Sequence, residues 1–101
     1  MQSFRLIITD TAKTDLRNIR NHIDKDSPEN AKTFVKDLTT KLYGLAASGV
    51  TGSSRDNVQK GLRGFLYRGR CFYFHFIDDK MYVIRVLNSR QDITLQDFPH
   101  I

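Results

Sequence analysis

The chain has 101 residues, of which 40% are hydrophobic and 27% charged, enough for one core, too few for two, and too apolar for disorder along its whole length. No run of about 18 apolar residues occurs and the N-terminal MQSFRLIITDTAK lacks a leader pattern, so a cytoplasmic protein with no membrane contact and a single domain over residues 1–101 is expected. The lone Cys71 excludes an internal disulfide and a zinc site of the usual spacing, so neither metal nor cofactor is expected, and the thiol reads as a small buried hydrophobe.

The net charge of +5 is concentrated: Arg55, Lys60, Arg63, Arg68 and Arg70 face Asp56 alone over residues 55–70. Such a patch attracts polyanions or an acidic protein without saying which. In chain order, FRLIIT at 4–9 predicts a strand, and Asp10 or Thr11 then caps a helix whose apolar stripe is Ala12, Leu16, Ile19 and Ile23. After the break DKDSPEN, Ser27 as cap, Pro28 at the first helical position and Glu29 in the first turn open a second helix. Its stripe is Ala31, Phe34, Val35, Leu38, Leu42 and Leu45, Gly49 ends it, and Gly44 inside it predicts fraying or an early stop. The short break makes the two helices an antiparallel hairpin.

Residues 49–61 read as a surface loop; LRGFLY and RCFYFHFI are strands joined at Arg68-Gly69, and DDK leads into a third strand, MYVIRVL at 81–87. The tail NSRQDITLQDFPHI has too little periodicity for a long helix and is expected to be mobile. The order gives an α+β fold with the helix pair across one face of a largely antiparallel sheet. Alternation assigns Phe72, Phe74, Phe76, Tyr82, Ile84 and Val86 to the helix side, and Cys71, Tyr73, His75, Val83 and Arg85 to the other. That second, mixed face could dock a partner or contact nucleic acid.

FRLIIT, the helix ending in NHID, SPENAKTFVKDL, GLRGFLYRGRCFYFHF and VIRVLNSRQD together resemble the RelE/ParE toxin superfamily over residues 4–92, and are more similar to its ParE branch. The resemblance implies a toxin of a type II toxin–antitoxin system that arrests growth and is neutralised by a cognate ParD-like antitoxin. ParE members poison DNA gyrase, and RelE members cut mRNA on the ribosome. Cutting RNA through its 2′-hydroxyl needs a base, cations for the crowded phosphorane and an acid for the leaving oxygen. The cutting relatives carry a cation early in the third strand and a Tyr or His acid on a C-terminal helix. Here Cys71 occupies the first position, Arg70 points to the opposite side, no tyrosine follows Tyr82, and His100 lies in the tail. Two departures from ParE are Asn88, where many relatives have histidine, and Cys71 in place of tyrosine.

The resemblance therefore implies a gyrase inhibitor with no catalytic residue, Arg63, Tyr73, Arg85, Arg90 and Asp92 being the candidates for contact with target or antitoxin. Arg63 and Arg85 sit mid-strand and must find acceptors in an ion pair or a partner, while Arg90 and Asp92 can pair locally. Tyr73 is expected to serve packing or an interface, His75 packing and His22 a solvated helix end. The alternative is a ribosome-dependent mRNA endonuclease using Arg63, Arg70, His75 and Arg85; a third is an inactive homologue that only binds antitoxin. Nucleic-acid contact under the first reading is indirect or through the antitoxin complex.

Overall fold

The computed structural model describes residues 3–24 and 27–100; Lys25 and Asp26, at the break between the helices, lie outside the described residues. Its elements are β1 (Arg5–Ile8), α1 (Asp10–Asp24), α2 (Pro28–Ser48), β2 (Ser53–Ser54), β3 (Arg63–Tyr67), β4 (Arg70–Ile77), β5 (Lys80–Asn88) and a 3₁₀ turn at Ile93–Leu95. This is the expected α+β class, with a mixed sheet in the order β1-β5-β4-β3-β2. The β3-β4-β5 meander is antiparallel as predicted, whereas β1 runs parallel to β5, Leu6 opposite Met81 and Ile8 opposite Val83. A parallel pair needs a crossover, and the helix hairpin supplies it.

The start of α1 corrects the sequence reading. Thr9, not Asp10 or Thr11, is the cap: its Oγ1 accepts from the Ala12 N–H at 3.3 Å and donates to the Val83 carbonyl at 2.7 Å, tying helix start to sheet. The second helix starts as predicted, with Ser27 Oγ accepting from the Asn30 N–H at 3.4 Å and Pro28 following. Ser27→Ala should therefore lower the unfolding free energy by about 1 kcal/mol, read as a shifted urea midpoint with unchanged slope. Gly44 does not end the helix, which runs on to Ser48 and stops at Gly49, whose φ of 66° is the left-handed closing conformation.

Helix stripes and sheet meet in a core of Ala12, Leu16, Leu38, Leu42, Leu45, Phe72, Phe74, Met81, Val83 and Val86. Each large side chain buried there contributes roughly 1.5–3 kcal/mol. Phe72, Phe74, Phe76 and Val86 thus face the helices as expected, but Val83 joins them, while Tyr82 and Ile84 belong to the opposite face. The cause is a bulge: Tyr73 pairs with Arg85 and Phe74 with Val83, leaving Ile84 as an extra residue that reverses the phase of β5.

The segment read as plain loop carries β2, which pairs with Arg63 and Gly64 of β3. At the tip of the β3-β4 hairpin, Arg68 and Gly69 both have positive φ, 51° and 75°, as a two-residue turn matching strand twist requires. That tip is tied to α2, since Asp37 Oδ2 accepts from the Tyr67 hydroxyl at 3.0 Å and from Arg68 Nη1 at 2.8 Å. Arg68 hydrogen-bonding, then Tyr67, holds the Asp37 carboxyl below its usual range. No helix among the described residues is long and apolar enough to cross a membrane.

Candidate functional site

On the sheet face turned away from the helices, Leu62, Cys71, Tyr73, Ile84 and Leu87 form a second buried cluster. Val58 from the 55–62 loop and Ile93 and Phe98 from the tail pack over it. The tail, expected to be mobile, is docked. Tyr73 meets Phe98 edge-on at 5.1 Å between ring centres, Gln59 Nε2 donates to the Phe98 carbonyl at 3.0 Å and lies 3.2 Å from His100 Nδ1, and Arg85 Nη1 donates to the Asp97 carbonyl. Sequence periodicity misses this because the tail backbone is irregular and its two anchors follow neither helical nor strand spacing. Cys71 is 4% exposed among apolar side chains, the small buried hydrophobe expected. The Tyr73 hydroxyl shares that environment, and burial pushes its pKa up to about 12.

His75 is half-buried, its Nε2 hydrogen-bonded to Gln59 Oε1. Burial depresses its pKa below the ordinary 6.5, opposed by hydrogen bonding to the Gly61 backbone. A folded-state pKa below the unfolded one means that the unfolded chain binds the proton more readily. The stability His75 contributes is thus present above pH 6.5 and lost as pH falls through the depressed value. His75→Gln should flatten this acid limb of the stability profile, measured by urea unfolding on both sides of that pH.

The cations proposed for phosphate stabilisation are scattered. Arg63 donates through Nε to the Thr51 carbonyl (2.8 Å) and through Nη2 to the Gly52 carbonyl (3.0 Å). It pairs with Phe74, whereas Arg70 opens the same strand four residues earlier, roughly 13 Å away at strand spacing. His75 lies opposite Tyr82 on the other face. Arg85 makes a two-pronged pair with Asp15, Nε to Oδ2 and Nη2 to Oδ1, both at 2.8 Å, and Asp15 Oδ2 also accepts from the Val86 N–H at 2.9 Å. The two side chains are only 12% and 9% exposed. Hydrogen bonding to Asp15 raises the Arg85 pKa further above its usual value.

Asp15 and Gln59 were missed by the sequence reading. Asp15 had a signal: it lies three residues after Ala12 and four before Ile19, on the apolar stripe, where a carboxylate requires a buried partner. Gln59 had none. The local Arg90–Asp92 pair does not form among the described residues; the Arg90 N–H donates to Asn88 Oδ1, and Asp92 Oδ1 accepts from the N–H and hydroxyl of Thr94 to open the 3₁₀ turn. Those Thr94 hydrogen bonds hold the Asp92 carboxyl below its usual range.

The structure brings together Arg70 and Arg85 in a cleft of about 310 Å³ between α1 and the adjoining ends of β4 and β5, with His22, Asn88 and Gln91 also on its walls. Arg63, His75, Tyr73, Arg90 and Asp92 lie elsewhere. The basic patch is accordingly reduced: Arg55 is bonded to Ser53 Oγ and the Ser54 carbonyl, Arg63 to two carbonyls and Arg68 to Asp37. Arg70 stacks 5.4 Å from the Phe34 ring centre and forms no ion pair with a described carboxylate.

Residues 6–93 match the family model described as the ParE toxin of the type II toxin–antitoxin system, parDE. Among curated proteins, none matches the chain. A solved structure described as the chromosomal ParDE TA system from P. aeruginosa superimposes with a TM-score of 0.72 and 24% identity, over 84% of this chain and 95% of that one. At that identity the likeness speaks for the fold, while the family match spans nearly the whole sequence: the chain belongs to the ParE toxin family of type II toxin–antitoxin systems.

Proposed function

We propose that this protein, acting as one domain, inhibits bacterial DNA gyrase without bond-making chemistry of its own and is silenced by direct binding of a ParD-like antitoxin. The observation that carries this reading is the state of the Cys71 face. Where the cutting relatives place a cation, this chain has a thiol 4% exposed in an apolar cluster under the tail. A charge-stabilising centre needs donors aimed at the reacting phosphate in an accessible site. Two further supports come from the arginines. Arg63 is spent on loop carbonyls and Arg85 on Asp15, so both are structural partners before any ligand arrives. Surface residues such as Arg90, which is exposed, remain contact candidates for target or antitoxin.

The test is a gyrase supercoiling assay run beside a translating extract. Purified protein should block supercoiling or accumulate cleaved DNA while leaving message intact. His75→Gln should keep that activity, because His75 holds Gln59 and takes no part in a proton transfer; loss of several orders of magnitude with the fold retained would contradict the reading. Antitoxin binding without either activity would point to the inactive homologue.

A further inference from the structure

The Arg70 cleft has a chemical bias that neither its charge nor its volume conveys. Asp15 lies in its wall, but its two oxygens already accept from Arg85 Nε, Arg85 Nη2 and the Val86 N–H. Arg85 is thereby neutralised, leaving Arg70 as the cleft's guanidinium without a carboxylate partner among the described residues. Its Nε is buried with no hydrogen-bond partner, a donor that costs about 1–3 kcal/mol to leave unmet.

The amides beside it are oriented by the backbone. Asn88 Oδ1 accepts from the Arg90 N–H at 2.9 Å, and Gln91 Oε1 accepts from the Asn88 N–H at 2.7 Å. With both oxygens occupied, the free end of each amide is its NH₂ group, a donor. A guanidinium with an unmet Nε and two amide donors therefore share one cleft, with the sole carboxylate on its walls already paired to Arg85.

We propose that this cleft binds a carboxylate side chain of an acidic protein segment, gripped by the guanidinium of Arg70 and flanked by the amides of Asn88 and Gln91. A planar guanidinium matches a carboxylate two-prong to two-prong, and that of Arg70 lies over Phe34, 5.4 Å from the ring centre. A nucleic-acid strand is the poorer fit, because phosphate-backbone binding draws on several free cations and, of the two guanidinium groups in this cleft, Arg85 is already paired with Asp15. The net charge of +5 favours encounter with an acidic partner. That the partner is the antitoxin rests on the function proposed above; carboxylate capture by Arg70 does not.

Arginine side-chain NMR on the intact chain tests this, with N-acetylated tetraglutamate peptide as the probe and a thymidine octanucleotide as the rival. The Arg70 Nε–H resonance should shift saturably with the peptide, and Arg70→Lys, which keeps the charge and loses the planar edge, should weaken the peptide at least tenfold, about 1.4 kcal/mol. Arg68→Lys should leave peptide affinity unchanged. An immobile Arg70 resonance, equal affinity in Arg70→Lys, or tighter binding of the oligonucleotide at Arg70 would each overturn the assignment. Peptide capture with no antitoxin binding would sink the neutralisation reading alone, and antitoxin affinity indifferent to Arg70→Lys would sink the site as an antitoxin contact alone.

Discussion

Asp15→Ala should destabilise the protein by about 3–5 kcal/mol, because it strands a guanidinium that is largely out of water. Arg85, 12% exposed, loses both of its 2.8 Å hydrogen bonds to Asp15, and the buried Val86 N–H loses a carboxylate acceptor. Against the total of about 5–15 kcal/mol that a domain of this size commands, such a loss leaves a substantial unfolded population. The pair joins α1 to β5 next to the bulge, and Arg85 reaches on to the Asp97 carbonyl, so the tail should loosen with it. Replacing both members, Asp15→Ala with Arg85→Met, should recover the part of the loss that comes from the stranded charge, leaving the unmet Val86 N–H at about 1–3 kcal/mol. Urea midpoints of the three variants check this. A single-mutant effect under about 1 kcal/mol would mean that water already serves the guanidinium.

Cys71→Arg should unfold the protein rather than confer cutting. The substitution restores the side-chain type that the cutting relatives carry at this strand position, which makes it the natural attempt at conversion. Here, however, it would push a charge among Leu62, Tyr73, Ile84 and Leu87, all 5% exposed or less. An unpaired buried charge costs several kcal/mol and the added volume about 1–3 more, together comparable with the whole stability of the fold. Loss of near-ultraviolet dichroism and an insoluble product are expected. A folded variant with the parent midpoint would show that the tail does not cover this face, and would reopen the nuclease reading.

Much of the architecture could be read from the residues, and the failures have physical causes. Ser27-Pro28, Gly49 and the stripe from Ala31 to Leu45 specify α2 because cap chemistry and 3.6-residue spacing act within a few residues of one another. The face assignment of β5 failed at Ile84 because one inserted residue inverts a period of two, and MYVIRVL is apolar on both faces, giving no hint of where the phase slips. The pairing of β1 with β5 and the docking of Phe98 on Tyr73 depend on contacts far apart in sequence. The site divides in the same way. The buried Cys71 can be read directly, Asp15 is legible on the apolar stripe of α1, and the orientation of the Asn88 and Gln91 amides beside Arg70 depends on which amide oxygen the backbone occupies.

The most direct measurement is the supercoiling activity of gyrase with purified toxin, taken in parallel with primer extension on message from a translating extract. Inhibited or poisoned gyrase with uncut message is the predicted outcome. Message severed at the ribosome with gyrase turnover untouched would contradict it.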